Sequence, residues 1–275
     1  MRRHLTTASF CLALAFAGSA AAQAQDVVLY GAGSLRAVMT DITQRHAEKH
    51  GTRVSTSFGP SGLMRQKIEA GDAVDLFTSA DMGHAMALAR QRSGSTVMVF
   101  TRNRLCAFAA PQVQLTPDNF ASKLLDPAIG IGTSTPNADP GGDYTWQMFR
   151  LLDKNRPGAF DTLDRKAQKL VGGSTTADPA NPDPIGAAFR QERIQVAFGY
   201  CSGAQARLKA NPGLTTLPVP PQYAPAPMYG MVVLTPGKPG VAQLALDILS
   251  VDGQATLARH GFAPIGDPGT GAAPQ

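Results

Sequence analysis

The sequence predicts an α/β protein of two lobes, with each lobe a mainly parallel sheet flanked by helices and a ligand cleft between them. Three observations carry this expectation. Short apolar runs rich in β-formers alternate with helical patterns of 3.6-residue period, the mark of strand–helix units and parallel sheets. The pattern restarts near Asn103, so one set of units interrupts another. The junctions where strands give way to helices are rich in Gly and Ser, which lets helix-start amides face a bound molecule.

Composition bounds the reading. The 275 residues are 43% hydrophobic and 16% charged, with 28 Gly and 21 Pro, which excludes a disordered chain, a disulfide miniprotein and a collagen-like fibre. Residues 1–24 read as an export signal: Arg2 and Arg3 precede an apolar run from Ala8 to Ala22, and Ala22-Gln23-Ala24 fits the cleavage site. The most apolar stretch, Phe10 to Ala17, is too short to span a bilayer. Without Arg2 and Arg3, the balance of 25 basic against 20 acidic residues narrows to +3, too mild and dispersed to indicate nucleic acid. Cys11 falls in the signal, which leaves Cys106 and Cys201, both in strand-like runs. One disulfide and two buried free thiols both fit.

The elements follow in order. Asp26 to Tyr30 is a strand, Gly31-Ala-Gly-Ser34 a tight turn, and Leu35, Val38, Met39 and Ile42 mark one face of a helix. Arg53 to Phe58 is a second strand, followed by Gly59-Pro60-Ser61-Gly62 and a helix carrying Leu63, Met64 and Ile68; Val74 to Thr78 is a third strand. After Asn103 come strands at Leu105 to Ala109 and Ile129 to Gly132, a helix beginning near Tyr144, and a long loop over Gly172 to Pro184. A strand at Ile194 to Tyr200 and a short helix through Leu208 follow. Five prolines between Pro218 and Pro227 indicate a semi-rigid crossover, leading to a strand at Met228 to Leu234, a helix at Val241 to Leu257 and a Gly/Pro-rich tail. The expected division is 25–105 with 224–275 as the first lobe and 106–223 as the second.

Ser34 stands where a strand meets a helix, so its hydroxyl and the unpaired amides beside it suit an anion. The plainer alternative is that Ser34 only caps the helix. A dinucleotide loop is disfavoured because Arg36 stands where the third glycine of G-x-G-x-x-G belongs. Ser61 repeats the arrangement at the next junction, and the coincidence of two favours a small anion held by neutral donors. Asp139 precedes Pro140-Gly-Gly-Asp-Tyr144 and is first an N-cap, with Gly141 free to approach a ligand. Tyr200 ends a strand, able to donate to an anion or to close a core layer.

These blocks resemble a family. Tyr30-Gly-Ala-Gly-Ser-Leu35, Ser57-Phe-Gly-Pro-Ser-Gly62, Val74-Asp-Leu-Phe-Thr-Ser-Ala-Asp81, Phe198-Gly-Tyr-Cys-Ser-Gly-Ala204 and Asp252-Gly-Gln-Ala-Thr-Leu-Ala-Arg-His-Gly-Phe262 are similar to the periplasmic molybdate-binding proteins of ABC importers. The resemblance implies a two-lobed type II periplasmic binding protein that closes on molybdate or tungstate and delivers it to an inner-membrane permease with a cytoplasmic ATPase, as a monomer, with no other cofactor. It assigns ligand contacts to Ser34, Ser61, Gly141 and Tyr200. Archaeal relatives carry D-P-x-G-Y, which Asp139 resembles, and there the carboxylate adds to the coordination of the metal. The second carboxylate of those relatives has no counterpart beside Tyr200, and Gly203 replaces the usual Asp after Y-x-S. The helix start that completes the family's site is not found within Gly172 to Pro184.

Two other readings stand beside this one. The same fold could hold a metal ion or metal complex, with Asp139, Asp143 and Asp178 or Asp183 as oxygen ligands. A secreted hydrolase is less favoured, since G-x-S-x-G, H-E-x-x-H and C-x-x-C are all missing. His46 and His50 are spaced i, i+4 as a metal pair would be, but their helix has an ordinary surface pattern and a solvated face is expected. The low overall charge agrees with a ligand held by dipoles and hydroxyls rather than by Lys and Arg.

Overall fold

The computed structural model describes residues 26–92, 94–173 and 182–266. The first lobe contains β1 (Val27–Ala32), α1 (Arg36–His50), β2 (Val54–Gly59), α2 (Ser61–Glu69), β3 (Leu76–Ser79), α3 (Met82–Arg90) and β4 (Val97–Arg102). The second contains β5 (Leu105–Ala109), α4 (Phe120–Leu125), β6 (Ile131–Ser134), α5 (Pro140–Asn155), α6 (Ala159–Lys166), β7 (Ala167–Val171), α7 (Pro184–Arg190), β8 (Val196–Tyr200), α8 (Ala204–Ala210) and β9 (Thr215–Pro218). The chain then returns to the first lobe with β10 (Met228–Val233), α9 (Val241–Leu249) and α10 (Val251–Arg259).

The strand orders are β2-β1-β3-β10-β4 and β7-β6-β8-β5-β9. Each sheet is half parallel and half antiparallel, which modifies the expected mainly parallel arrangement. β1 runs parallel to β2 and β3, and β6 to β7 and β8, whereas β10 and β5 are antiparallel to both of their neighbours. β5 and β10 are the first strands after the two crossovers. They start at the hinge, beside the ends toward which the parallel strands run, so they run away from it.

The crossovers lie together. Asn103 donates its backbone N–H to Pro227 O across 3.0 Å, which ties the short outbound connection to the proline-rich return. Arg102 and Ala263 pair through both backbone groups and bring the end of α10 to the same place.

Apolar spacing accounts for the packing. Leu35, Val38, Met39 and Ile42 are all buried, against a core that includes Leu29, Tyr229, Leu244 and Leu257. Phe120, Phe149 and Phe198 fill the core of the second lobe with Trp146, whose indole N–H donates to Asp164 across 2.8 Å. Burying each such large side chain contributes about 1.5–3 kcal/mol. Cys106 and Cys201 form a disulfide with their Cα atoms 5.0 Å apart, joining β5 to the residue after β8. Asp75 is buried beneath β1. Burial alone would raise its carboxyl, but hydrogen bonds from Lys238, Thr235 and the Val28 amide hold it below the ordinary value.

Several expectations change. The helix at 241–257 is two helices, because the Ser250 hydroxyl accepts from Gly253 N and starts a new one, and Gly253 packs too closely on Asp247 O to carry a side chain. α5 begins at Pro140 rather than near Tyr144, since Asp139 and Pro140 together form its start. The unanticipated strands β4, β7 and β9 are all sheet edges, where one side lacks a partner. His46 is not on a solvated face. α9 covers it, and Asp247 Oδ2 lies 2.6 Å from His46 Nδ1 and 3.0 Å from His50 Nε2.

Candidate functional site

A cleft of about 460 Å³ separates the two sheets, and Ser34, Ser61, Asp139, Gly141 and Tyr200 all line it. Its walls are the ends of β1, β2, β6 and β8 with the turns that follow them. The strand–turn–helix pattern therefore brings residues distant in sequence to one place.

Ser34 sits in a single 3₁₀ turn, Gly33–Leu35, between β1 and α1, and it does not cap the helix. Its Oγ lies 3.0 Å from the phenolic oxygen of buried Tyr229. The direction of that bond follows from the hinge. Asn103 Oδ1 accepts from Arg104 N at 2.8 Å, which fixes the amide so that Nδ2 donates to Ser202 Oγ at 2.8 Å and to the Tyr229 oxygen at 3.2 Å. Burial holds the Tyr229 phenol well above its ordinary value, outweighing the opposing hydrogen bonds, so it keeps its proton. The protonated Tyr229 has a proton to give, and with Tyr229 as the donor to Ser34 Oγ the Ser34 proton is free for an acceptor in the cleft.

Ser61 has the same polarity by a different route. It is the first residue of α2, and its hydroxyl oxygen accepts from Ala80 N at 3.1 Å. Its own proton is thereby left for another acceptor. No side chain caps the start of α2, so its first amides keep their partial positive charge. Gly62 N donates across the lobes to Ala138 O at 3.1 Å, and a Cβ on Gly62 would stand 2.5 Å from Asn137 O. The lobes meet closely here, and only glycine permits it.

Asp139 caps α5, accepting from Gly141 N at 2.9 Å. The Gly141 amide is therefore engaged by a carboxylate of its own chain, although Gly141 lines the cleft as expected. Burial raises the Asp139 carboxyl above its ordinary value, and Asp143 adds to this, against hydrogen bonds from Gly141 and Ser134. Burial likewise raises Asp143, with Asp81 adding repulsion while the Asn137 amide and His84 oppose it. Among the described residues, the buried Tyr200 hydroxyl makes no hydrogen bond of good geometry. Its ring meets Tyr229 and Tyr144 edge-on, with centroids 5.6 and 6.4 Å away. Burial, with the neighbouring Tyr229 phenol adding to it, keeps this phenol protonated too, so it can donate to an acceptor in the cleft.

Other lining residues escape sequence reasoning. Arg36 donates to Phe58 O at 3.1 Å with its guanidinium 5.2 Å from the Phe58 ring centroid, and Arg207 stands 5.4 Å from that of Phe108. Two arginines, one per lobe, thus flank a cleft expected to use none. Their signal was the aromatic residue that each covers, which only folding brings near. Ile185, at the start of α7, supplies the wall left unassigned after Gly172. Asp183 is not a free oxygen ligand, because it caps α7 and takes bonds from Arg207 and Asn211. Asp178 lies outside the described residues.

A family model for bacterial extracellular solute-binding proteins matches residues 27–263. The chain belongs to that family. An uncharacterized protein of Pasteurella multocida (strain Pm70), PM1146, is 32% identical over 209 residues, which cover 75% of this chain and 86% of the relative. The molybdate-binding protein ModA of Escherichia coli (strain K12) is 28% identical, over 68% of this chain and 74% of its own. Among solved structures, the sulfate-binding protein SubI of Mycobacterium tuberculosis H37Rv superposes with a TM-score of 0.69 at 16% identity, covering 87% of each chain. The two sheets flanked by helices are the two-lobed type II periplasmic binding protein fold. Among the described residues, no helix is long and apolar enough to cross a membrane.

Proposed function

We propose that this solute-binding protein captures a tetrahedral oxyanion of the molybdate and tungstate type in the periplasm and delivers it to an ABC permease and its ATPase. It binds its cargo and performs no chemistry on it. The observation that carries the reading is the polarity of three hydroxyls at one cleft. Ser61 has its oxygen occupied by a protein donor and its proton free, Ser34 has the same polarity with Tyr229 as its donor, and among the described residues the Tyr200 hydroxyl makes no hydrogen bond of good geometry. A fully deprotonated oxyanion offers only acceptors and satisfies all three; a protonated phosphate would bring a proton for which these hydroxyls have no use. Asp139 fits if it keeps its proton or its cap beside the bound anion, as its raised carboxyl favours.

A second reading rests on the size of the cleft. With 460 Å³ and an arginine on each side, there is room for an anion bearing a second group beyond the tetrahedral head. Isothermal titration of the purified protein with molybdate, tungstate, sulfate and a small phosphorylated carboxylic acid separates the two. Tight uptake of molybdate and tungstate supports the first reading, exclusive uptake of the organic anion the second, and no heat with any of the four excludes both.

A further inference from the structure

Beside the cleft, where α3 of the first lobe faces α5 of the second, lies a group of side chains that oxyanion binding does not use. Asp81 and His84 come from the start of α3, and Asp143 from the first turn of α5. One ligand atom from each lies within 4.8 Å of the others. His84 is only 7% exposed, and among the described residues its buried Nε2 has no hydrogen-bond partner, standing 4.0 Å from Asp81 Oδ2. Among the described residues, neither carboxylate pairs with Lys or Arg, and the His84 imidazole is the one basic side chain within ion-pair distance of Asp81.

The remaining oxygens are already held. Asp81 Oδ1 accepts from His84 N at 3.0 Å and from the Ser79 hydroxyl at 2.9 Å, and Asp143 Oδ1 accepts from Asn137 N at 2.9 Å. These bonds orient the carboxylates as supporting contacts orient metal ligands.

We infer that Asp81, His84 and Asp143 form a binding site for a first-row divalent cation such as Zn²⁺, and that the ion ties the two lobes together in the closed arrangement. One imidazole and two carboxylates are a donor set that such ions accept, with a fourth position left for water. Zinc bonds of about 2.0 Å place ligand atoms about 3.3 Å apart. From separations of 4.0 Å between His84 Nε2 and Asp81 Oδ2 and at most 4.8 Å among the three, the groups need to draw in by at most about 1.5 Å. The other histidine cluster lacks this character. Asp247 already accepts from His46, His50 and Gln243, and Lys49 Nζ stands 3.7 Å from it, so a cation there would face a charge of its own sign.

The site is independent of which solute fills the cleft, so zinc alone is the probe. The test is calorimetric titration of ZnCl₂ into chelator-treated protein without any oxyanion. The expected result is one ion per chain, with affinity reduced at least ~10-fold in both Asp143→Asn and His84→Gln and unchanged in His50→Gln. Asp143 is half-buried, so Asp143→Asn serves should His84→Gln melt early. Gly62→Ala, which obstructs lobe contact, weakens zinc binding if the site spans the lobes. No zinc uptake, full uptake by Asp143→Asn, loss in His50→Gln, or unaltered affinity in Gly62→Ala overturns the proposal.

Discussion

Replacing Tyr229 separates a hydrogen bond that positions a donor from the donor itself. The proposed relay runs from Asn103 through Tyr229 to the Ser34 oxygen, leaving the Ser34 proton for the ligand. Ser34→Ala removes one hydrogen bond to a charged oxyanion, worth about 1.5–3 kcal/mol, or a ~10- to 150-fold rise in Kd. Tyr229→Phe leaves that donor in place but removes the partner that directs it, a neutral bond worth about 1 kcal/mol, or a ~5-fold rise. Because Tyr229 acts through Ser34, adding Tyr229→Phe to Ser34→Ala raises Kd by less than ~2-fold, a coupling that a double-mutant cycle reads. Calorimetry with tungstate on all four proteins, with melting curves to verify folding, is the assay. If Tyr229→Phe costs the same factor with and without Ser34, the relay does not exist and Tyr229 matters only to the core.

Four other outcomes follow from the geometry. Gly62→Ala places a methyl group against Asn137 O and Ala138 O, so it should raise the oxyanion Kd ~10-fold or more by holding the lobes apart, with melting temperature almost unchanged. Asp139→Asn keeps an N-cap, since Asn caps as well as Asp, and removes a negative charge beside the anion. Oxyanion affinity in the wild type should fall as pH rises through the raised Asp139 value, and the Asn variant should bind more tightly above it with no such slope; weaker binding by the variant at all pH values would make the carboxylate a direct ligand. Cys201→Ser opens a disulfide whose cysteines are 95 residues apart, which by chain entropy costs about 4–5 kcal/mol and is read by denaturant titration against the oxidised wild type, with a loss under 1 kcal/mol counting against it. Asp75, held below its ordinary value by Lys238, contributes stability above the unfolded carboxyl range of about 3.9 that disappears as pH falls through its folded value, so Lys238→Met should lower the melting temperature at pH 7 far more than at pH 3.

Local pattern carried much of the fold. The strand–turn–helix order, the face of α1 defined by Leu35, Val38, Met39 and Ile42, and the crossover at Pro218–Pro227 are visible because spacing, glycine and proline report backbone geometry directly. Edge strands β4, β7 and β9 were missed, since a strand paired on one side only need not be uniformly apolar. The break at Ser250 was hidden within a continuous helical pattern. At the cleft, Ser34, Ser61, Asp139, Gly141 and Tyr200 are legible because each stands at a strand end or helix start. Tyr229, Asn103, Arg36 and Arg207 are not, because their places depend on pairing across the hinge and on packing over Phe58 and Phe108. His46 shows the same limit in reverse: nothing in its own helix indicates that α9 brings Asp247 to cover it.

The central proposition is that neutral donors of this cleft hold a tetrahedral oxyanion, and a crystal structure of the protein grown with tungstate, phased on the tungsten, tests it most directly. The predicted result is one tetrahedral centre between the lobes, with the hydroxyls of Ser34, Ser61 and Tyr200 at hydrogen-bond distance from its oxygens and Asp139 still bonded to Gly141 N. Tungsten bonded directly to the Asp139 carboxylate, or an empty cleft at saturating tungstate, would contradict it.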